Sequence, residues 1–409
     1  MEKGSACMGK EKKLVFLIKV MNGGGAERVV SILSSALVKR GFDVTLILTH
    51  QKMNEAYLRD IAEEVKVISL EDQVEGKTGV PSGASLRMLY ARLLGKASRV
   101  LQGTGSDASL IQKYYARNYV KVSWLKEYFK KHRKRTVIAF LYDSIFLSML
   151  SVSCENKVII SERGDPEQSL ASKTTMAFLH SMFPKADHVV FQSPDVQKWY
   201  ETSMGVKGQV IFNPVKGNLP ERYLGERQKK IVNFCRISEQ KNLELLIEAF
   251  LKLHEDYPEY ELYIYGDAVG NGAEGYLEKI RDIIERKGMD HRIHLLGGCG
   301  DIHEIIRDYA MFVSSSDFEG MSNSMLEAMA IGMPVVCTDC PAGGARAVIR
   351  DHENGILVPV RDAESMYQAM REVIEHPELA NHLSQNAVCI REEQSLENII
   401  EKWMEIIHD

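Results

Sequence analysis

Two carboxylates stand out in the stretch DFEGMSNSMLEAMAIG, which runs from Asp317 to Gly332. Glu319 stands just before a glycine, whereas Glu327 lies among Met, Leu, Ala and Ile residues of the kind a fold buries. The preceding run, MFVSSS, has strand length, so DFEGM reads as the loop leaving a strand, with a helix beginning near Ser322–Ser324. The first N–H groups of such a helix lack intrahelical partners and its dipole adds positive potential. A phosphate fits there, against Gly320, Met321, Ser322 and Asn323. Glu327 would lie about 6 Å further along the axis, which matches the separation between a nucleotide's phosphates and its ribose hydroxyls. Glu319 would face whatever hangs from the outer phosphate, such as a sugar. A plainer account stands beside this one. Ser324-x-x-Glu327 also spells a capping box, in which Glu327 returns to the backbone of Ser324, and Glu319 is equally a solvated loop acid.

Other stretches supply cations and glycines. FCRISEQKN follows a strand-like run and presents Arg236 and Lys241, one able to meet a diphosphate through a bidentate fork, the other as a point charge. Each is equally an ordinary surface cation when taken alone. NGGGAER brings Gly23, Gly24 and Gly25 to a strand-to-helix turn where backbone can approach a phosphate closely. As GxGxxG it fails at Arg28, and no Gly-Lys-Ser/Thr follows, so neither a dinucleotide fingerprint nor a P-loop is complete. In IISERGDP, Arg163 ends a strand and could meet a phosphate or pair with Glu162 or Asp165. Cys337 and Cys340 form a lone CxxC without a second pair, which argues against zinc and for reduced thiols.

These residues need strands and helices to hold them. Continuous apolar runs of strand length recur: KLVFLIKV, DVTLILTH, TVIAFL, KVIIS, HVVFQS and QVIFNP, then IVNFCR, ELYIYG, IHLLG, MFVSSS, PVVCTD and GILVPV. Helical patterns such as AERVVSILSSALVKRG and NLELLIEAFLKLHEDY lie between them. Strands of this kind joined by helices imply parallel sheets covered on both faces. The rhythm restarts after a polar stretch with two prolines. The expected organisation is therefore a first α/β domain over 1–212, a linker over 213–229 and a second over 230–389. The amphipathic helix at about 390–409 carries Trp403 on its apolar side and is expected to pack back on the first domain. Ligands of such domains lie at the carboxyl ends of the strands, so a cleft shared by the two is the expected site.

Length and composition agree with a two-domain globular chain. It has 409 residues, 45% hydrophobic and 26% charged. No apolar run reaches the ~20 residues of a membrane span. The net charge is −5, yet thirteen Lys or Arg face two acids between Ser85 and Arg135, a local balance of +11 that leaves −16 elsewhere. SLRMLYARLLGKASRVL and KYYARNYVKVSWLKEYFKKHRKR both read as basic amphipathic helices suited to an anionic membrane surface, with a solvated cationic face as the plain alternative. No nucleic-acid recognition motif accompanies them, so nucleic acid is not an expected partner.

The combination of GGGAERVV, NPV, FCRISEQKN, SSSDFEGMSNSMLEAMAIGMPVVCTDCPAGG and NGILVPV resembles the family 4 glycosyltransferases. That resemblance extends from Lys13 to the C-terminus. It implies the GT-B fold, two Rossmann-like parallel-sheet domains facing across a cleft, and a likeness to bacterial enzymes of exopolysaccharide and lipid-linked oligosaccharide assembly. It implies that Arg236 and Lys241 hold the donor diphosphate, Glu327 the ribose and Glu319 the transferred sugar, with Gly24 and Gly25 on the phosphate side. It also implies retention of anomeric configuration with no cofactor and no essential metal; no Asp-x-Asp pair is present to hold Mg²⁺. The donor would be a nucleotide sugar, UDP-linked. The acceptor would be a saccharide on polyprenyl diphosphate, met by a cytoplasmic enzyme peripheral to the inner face of the membrane. One departure concerns the acceptor side. VIAFLYDSIF offers Tyr142, Asp143 and Ser144 where many relatives place a histidine, and Glu27 and Arg163 are further candidates on that side. A GT-B sugar-nucleotide epimerase and a non-catalytic sugar-nucleotide-binding subunit are the competing readings.

Overall fold

The structure, a computed structural model, describes residues 13–22, 24–51, 61–75, 106–169, 172–270 and 272–409. It divides into two compact units. The first runs to Phe191 and takes in Gln197–Val210 and Trp403–Asp409, and the second consists of Gln192–Val196 and Ile211–Lys402.

The first unit is built on β1 (Lys13–Ile18), β2 (Asp43–Leu48), β3 (Lys66–Ser69), β4 (Thr136–Phe140), β5 (Lys157–Ser161), β6 (His188–Phe191) and β7 (Gln209–Val210). All pairings are parallel, in the order β3-β2-β1-β4-β5-β6-β7. The order reverses between β1 and β4, which opens a crevice at their carboxyl ends. The edge strand β3 has no counterpart among the expected strands. Lys66 is exposed and Val67 and Ile68 are only partly buried, so it lacks the continuous apolar run that marks the central strands.

The second unit is built on β8 (Gln228–Phe234), β9 (Glu261–Tyr265), β10 (Ile293–Leu296), β11 (Tyr309–Ser314), β12 (Val335–Thr338) and β13 (Ile356–Val358), again all parallel, in the order β10-β9-β8-β11-β12-β13. Alternation along each strand splits its side chains between two cores. Ile231, Leu262, Met311 and Val313 join the helices Leu243–Asp256, Ala273–Arg286 and Ala363–Glu375 on one face. Val232, Phe234 and Phe312 meet the helix Asn323–Ala330 on the other. The chain order here reverses between β8 and β11. The loops carrying Arg236–Lys241 and Ser315–Glu319 leave from those two strands.

The polar stretch 213–229, expected as a linker, packs as part of the second unit. The Val215 N–H donates to the Gln394 carbonyl (2.8 Å), and Arg227 donates to the carbonyls of Arg307, Tyr309 and Gly332. Of the final helix, Leu396–His408, the part from Trp403 onward falls with the first unit.

The basic segment 85–101 lies outside the described residues. The segment 113–135 is broken at Asn118 into two helices, Asp107–Arg117 and Tyr119–Lys131. The apolar side of the second, Val122, Leu125, Tyr128 and Phe129, is buried within the unit and unavailable to a lipid surface. The exposed residues of this helix and its end are mainly cations, Lys126, Lys130, Lys131, Arg133 and Lys134, beside Val120 and Glu127. No helix among the described residues is long and apolar enough to cross a membrane.

Trp403 is fully buried, near-parallel to Phe140 at 6.0 Å, with the Arg163 guanidinium over its ring at 5.8 Å. Trp403→Ala should therefore destabilise the first unit by roughly 3–5 kcal/mol, with Trp403→Phe costing much less, as read by urea unfolding followed by circular dichroism. An alanine variant as stable as wild type would show that the helix end contributes little packing.

Candidate functional site

In the second unit, the loops after β8 and β11 are sewn together through backbone and amide groups. The Asp317 N–H donates to the Gln240 carbonyl (3.0 Å), and Gln240 Nε2 donates to the Phe318 carbonyl (2.7 Å). Ser315 Oγ donates to the Lys241 carbonyl (2.8 Å), and Asn242 Nδ2 to Asp317 Oδ1 (2.7 Å). Asn242 has the left-handed φ of 42°, a conformation Asn tolerates, and its Oδ1 caps the helix Leu243–Asp256 through the Leu245 N–H (3.2 Å). Arg361 adds Nε and Nη2 bonds to Asp317 Oδ2 (3.0 and 2.8 Å).

This sewing brings Lys241 and Glu319, 78 positions apart in sequence, into an ion pair between Nζ and Oε1, with side chains only 12% and 18% exposed. Burial by itself depresses the Lys241 ammonium. The Glu319 carboxylate and the Cys235 thiol more than offset that, so the net shift is upward. Arg236, on the same loop, is exposed and makes no ion pair among the described residues. A cation and a carboxylate thus sit at the strand-order reversal beside a second, freely presented cation.

The helix Asn323–Ala330 is capped by Ser322, whose Oγ accepts from the Met325 N–H (3.4 Å). The third helical position is therefore Met325, and Glu327 lies two residues beyond it. The capping box anchored on Ser324 does not form in the expected register. Glu327 is 3% exposed, and its Oε2 lies 2.9 Å from Nε2 of His303, itself 9% exposed. The His303 ring packs edge-on against Phe234, 5.7 Å between centroids at 87°. Nothing in GDIHEII marks His303 in advance; it meets Glu327 only through the fold.

The residues leading into this helix are held from several sides. Asn213, of the NPV motif, donates from Nδ2 to Asn323 Oδ1 (2.7 Å) and to the Met321 carbonyl (3.4 Å). Gly320 is buried against Gly344 so closely that a Cβ at Gly344 would lie 1.5 Å from the Gly320 oxygen, which accounts for a glycine in DCPAGG. The two CxxC thiols belong to the same scaffold. Cys340 Sγ donates to the Ser316 carbonyl (3.2 Å), and burial pushes both Cys337 and Cys340 up to about 12, the range of packed, neutral thiols.

In the first unit, the glycine turn is closed by Glu27. Its Oε2 accepts from the N–H groups of Asn22 (2.7 Å) and Gly24 (2.6 Å) ahead of the helix Gly25–Lys39. The Gly24 N–H offered to a phosphate by the sequence reading thus already serves a carboxylate. A Cβ at Gly24 would lie 2.9 Å from that group. Tyr142 and Asp143 open the helix Tyr142–Ser151 at the end of β4. Tyr142 Oη lies 2.9 Å from Tyr200 Oη, and Asp143 pairs with Lys19 (2.8 Å).

Arg163 is turned inward. Nε donates to Ser161 Oγ (2.7 Å), and the guanidinium covers the Phe140 ring at 5.1 Å. Burial lowers it to about 9 against the opposing pull of Glu162, so its surroundings are those of a packed cation more than of a surface anion receptor. His50, at the end of β2, escaped the sequence reading because one histidine after a strand carries no motif. Its Nδ1 lies 2.9 Å from Thr49 Oγ1, which in turn lies 3.3 Å from Ser144 Oγ. Burial first, then Lys121, and Lys19 in smaller part, hold the imidazole below its usual value and favour its neutral form.

Comparison with known proteins agrees on both halves. The family described as Glycosyltransferase Family 4 matches residues 23–216, and Glycosyl transferases group 1 matches residues 218–388. An N-acetylgalactosamine-N,N'-diacetylbacillosaminyl-diphospho-undecaprenol 4-alpha-N-acetylgalactosaminyltransferase of Campylobacter jejuni is 25% identical over 386 residues, 90% of this chain and 92% of that protein. Among solved structures, a TarM mutant of S. aureus in complex with Fondaparinux, alpha-GlcNAc-glycerol and UDP has a TM-score of 0.75 at 16% identity, covering 97% of this chain and 100% of that one. HepE of Anabaena in complex with UDP and glucose has a TM-score of 0.72 at 18% identity, covering 97% and 100%. The two structural likenesses bear on the fold alone.

The ion pair at the strand-order reversal has measurable consequences. Glu319→Ala should cost on the order of 2 kcal/mol, below the 3–5 kcal/mol of a fully buried pair because both side chains keep some exposure. Adding Lys241→Met should recover most of that loss, since no stranded charge remains. The raised ammonium fixes the pH sign. Its contribution is complete below the unfolded value of 10.5 and fades as pH rises through the higher folded value. Denaturant unfolding should therefore show wild type losing stability relative to Lys241→Met at alkaline pH. A constant difference across that range would mean that the pair does not stabilise the fold.

Proposed function

We propose, for a chain that belongs to the family 4 glycosyltransferases and has the GT-B fold, that it moves a hexose or N-acetylhexosamine from a UDP-sugar to a saccharide carried on polyprenyl diphosphate. The observation that carries this reading is the convergence at one end of the second sheet of Lys241, Glu319 and Arg236, with Glu327 buried along the adjoining helix. The Campylobacter jejuni relative, whose name specifies a diphospho-undecaprenol-linked saccharide, supports the acceptor class, and the UDP held by HepE and TarM supports the donor.

In this reading Arg236 and Lys241 grip the donor diphosphate, and the start of the helix Asn323–Ala330 adds its dipole. Glu327 accepts the ribose hydroxyls, and Glu319, already beside Lys241, accepts from hydroxyls of the transferred sugar. Transfer breaks the bond between the anomeric carbon and the β-phosphate oxygen. It forms a bond from the same carbon to an acceptor oxygen on the same face, so configuration is retained. The acceptor proton passes to the departing phosphate oxygen. Charge that develops on that phosphate is met by Lys241, Arg236 and backbone N–H groups, which gives the reaction a route without a divalent metal. In the first unit, the polar group of His50, Tyr142 and Asp143 at the strand ends serves acceptor recognition. The exposed cations Lys126, Lys130, Lys131, Arg133 and Lys134 draw the enzyme electrostatically to an anionic bilayer from the cytoplasmic side.

Calorimetric titration of UDP-, GDP- and ADP-sugars, followed by transfer assays, tests the reading. UDP-sugars should bind tightest, and donor should be consumed only with acceptor present. Glu327→Ala should weaken UDP roughly 10- to 100-fold, the worth of hydrogen bonds to a charged group. Glu319→Ala should leave UDP affinity within about threefold while transfer falls by ~100-fold or more. UDP affinity unchanged in Glu327→Ala would overturn the nucleotide assignment. For the membrane, neutralising Lys126, Lys130, Lys131, Arg133 and Lys134 together should abolish sedimentation with phosphatidylserine vesicles at low salt. Binding that persists would remove that surface from the reading.

A further inference from the structure

We propose that His303 is a positioning residue for donor recognition, holding the Glu327 carboxylate where it meets the ribose hydroxyls. This rests on the reading that Glu327 binds the ribose. The two residues lie 24 positions apart, on separate helical segments, Ile302–Ile306 and Asn323–Ala330. Each side chain is nearly excluded from solvent, at 11% and 4% exposure. Glu327 is 3% exposed on a helix whose Met325, Leu326, Ala328 and Met329 are buried in the core. A carboxylate so buried is costly unless donors meet it, and His303 Nε2 at 2.9 Å is one.

The chemistry of the bond constrains both partners. An ionised carboxylate only accepts, so Nε2 carries the hydrogen whether the imidazole is neutral or charged. The edge contact with Phe234 holds the ring plane, and the ring in turn holds the Oε2 direction. A carboxylate has about four acceptor directions, so a bond to one histidine is compatible with two ribose hydroxyls on the same group. Ordering a glutamate's three torsions before the ligand arrives spares the ligand that cost in affinity. The His303 bond contributes to that ordering by fixing Oε2. Its effect should fall on the ribose contact specifically and on KM for the donor more than on kcat.

The test compares UDP with 2′,3′-dideoxy-UDP by calorimetry in wild type, Glu327→Ala, His303→Ala and His303→Gln, the last retaining an N–H near the Nε2 position. Wild type should lose roughly tenfold or more in affinity without the hydroxyls. In His303→Ala, UDP should bind about tenfold more weakly and the preference for the hydroxyls should shrink to within about threefold, with KM for donor rising more than kcat falls. His303→Gln should restore most of both. If His303→Ala does not fold, His303→Met, which fills similar space without a donor, goes through the same titrations. Full ribose preference in the Ala or Met variant, beside its loss in Glu327→Ala, would overturn the role of His303 alone. Full ribose preference in Glu327→Ala itself would overturn the assignment on which the role depends, so the two failures are distinguishable.

Discussion

Charge brought out of water must be matched where it is buried, and the site in the second unit is organised around that constraint. Lys241, Glu319 and Glu327 lie at strand ends or on an apolar helix, with little solvent to stabilise them. Two pairings answer the requirement: Lys241 with Glu319, and His303 with Glu327. Neither would be worth much on an open surface. Here each determines where a functional group points, because an unpaired alternative is expensive. The amide and hydroxyl bonds of Ser315, Gln240 and Asn242 keep the two loops in the register that makes the first pairing possible.

The same constraint has a different outcome in the first unit, where burial prevails over pairing. Glu162, 2% exposed, is pushed upward toward its neutral form by burial despite the bond its Oε1 accepts from the Gly164 N–H (2.8 Å). The Arg163 guanidinium lies over Phe140 and Trp403, an arrangement that aromatic faces support, and Glu162 opposes the lowering that burial imposes. His50 is held toward its neutral form, and Asp143 is matched by Lys19.

The central strands were legible because each is a continuous apolar run, and a strand buried on both faces needs little else. The edge strand β3 was not, because a half-exposed strand of four residues looks like the loops around it. The helical period in 113–135 was visible, but the break at Asn118 and the inward turn of Val122, Leu125 and Phe129 depended on neighbours that no local pattern names. At the site, the acids and cations of DFEGM and CRISEQKN drew notice as charges next to strand ends. The serine that caps the helix was ambiguous between Ser322 and Ser324, since both are good caps and only the path of the loop chooses.

Sequence alone determined the alternation of strand and helix, the parallel sheets that follow from it and the residue types available at the strand ends, because these depend on local periodicity and chain connectivity. Tertiary structure decided which charges become partners. Lys241 meets Glu319 across 78 positions and His303 meets Glu327 across 24. It also turned Arg163 inward and gave the Gly24 N–H to Glu27. Pairing energy depends on distance and desolvation, and both are set by how separate elements pack rather than by the order of residues along the chain.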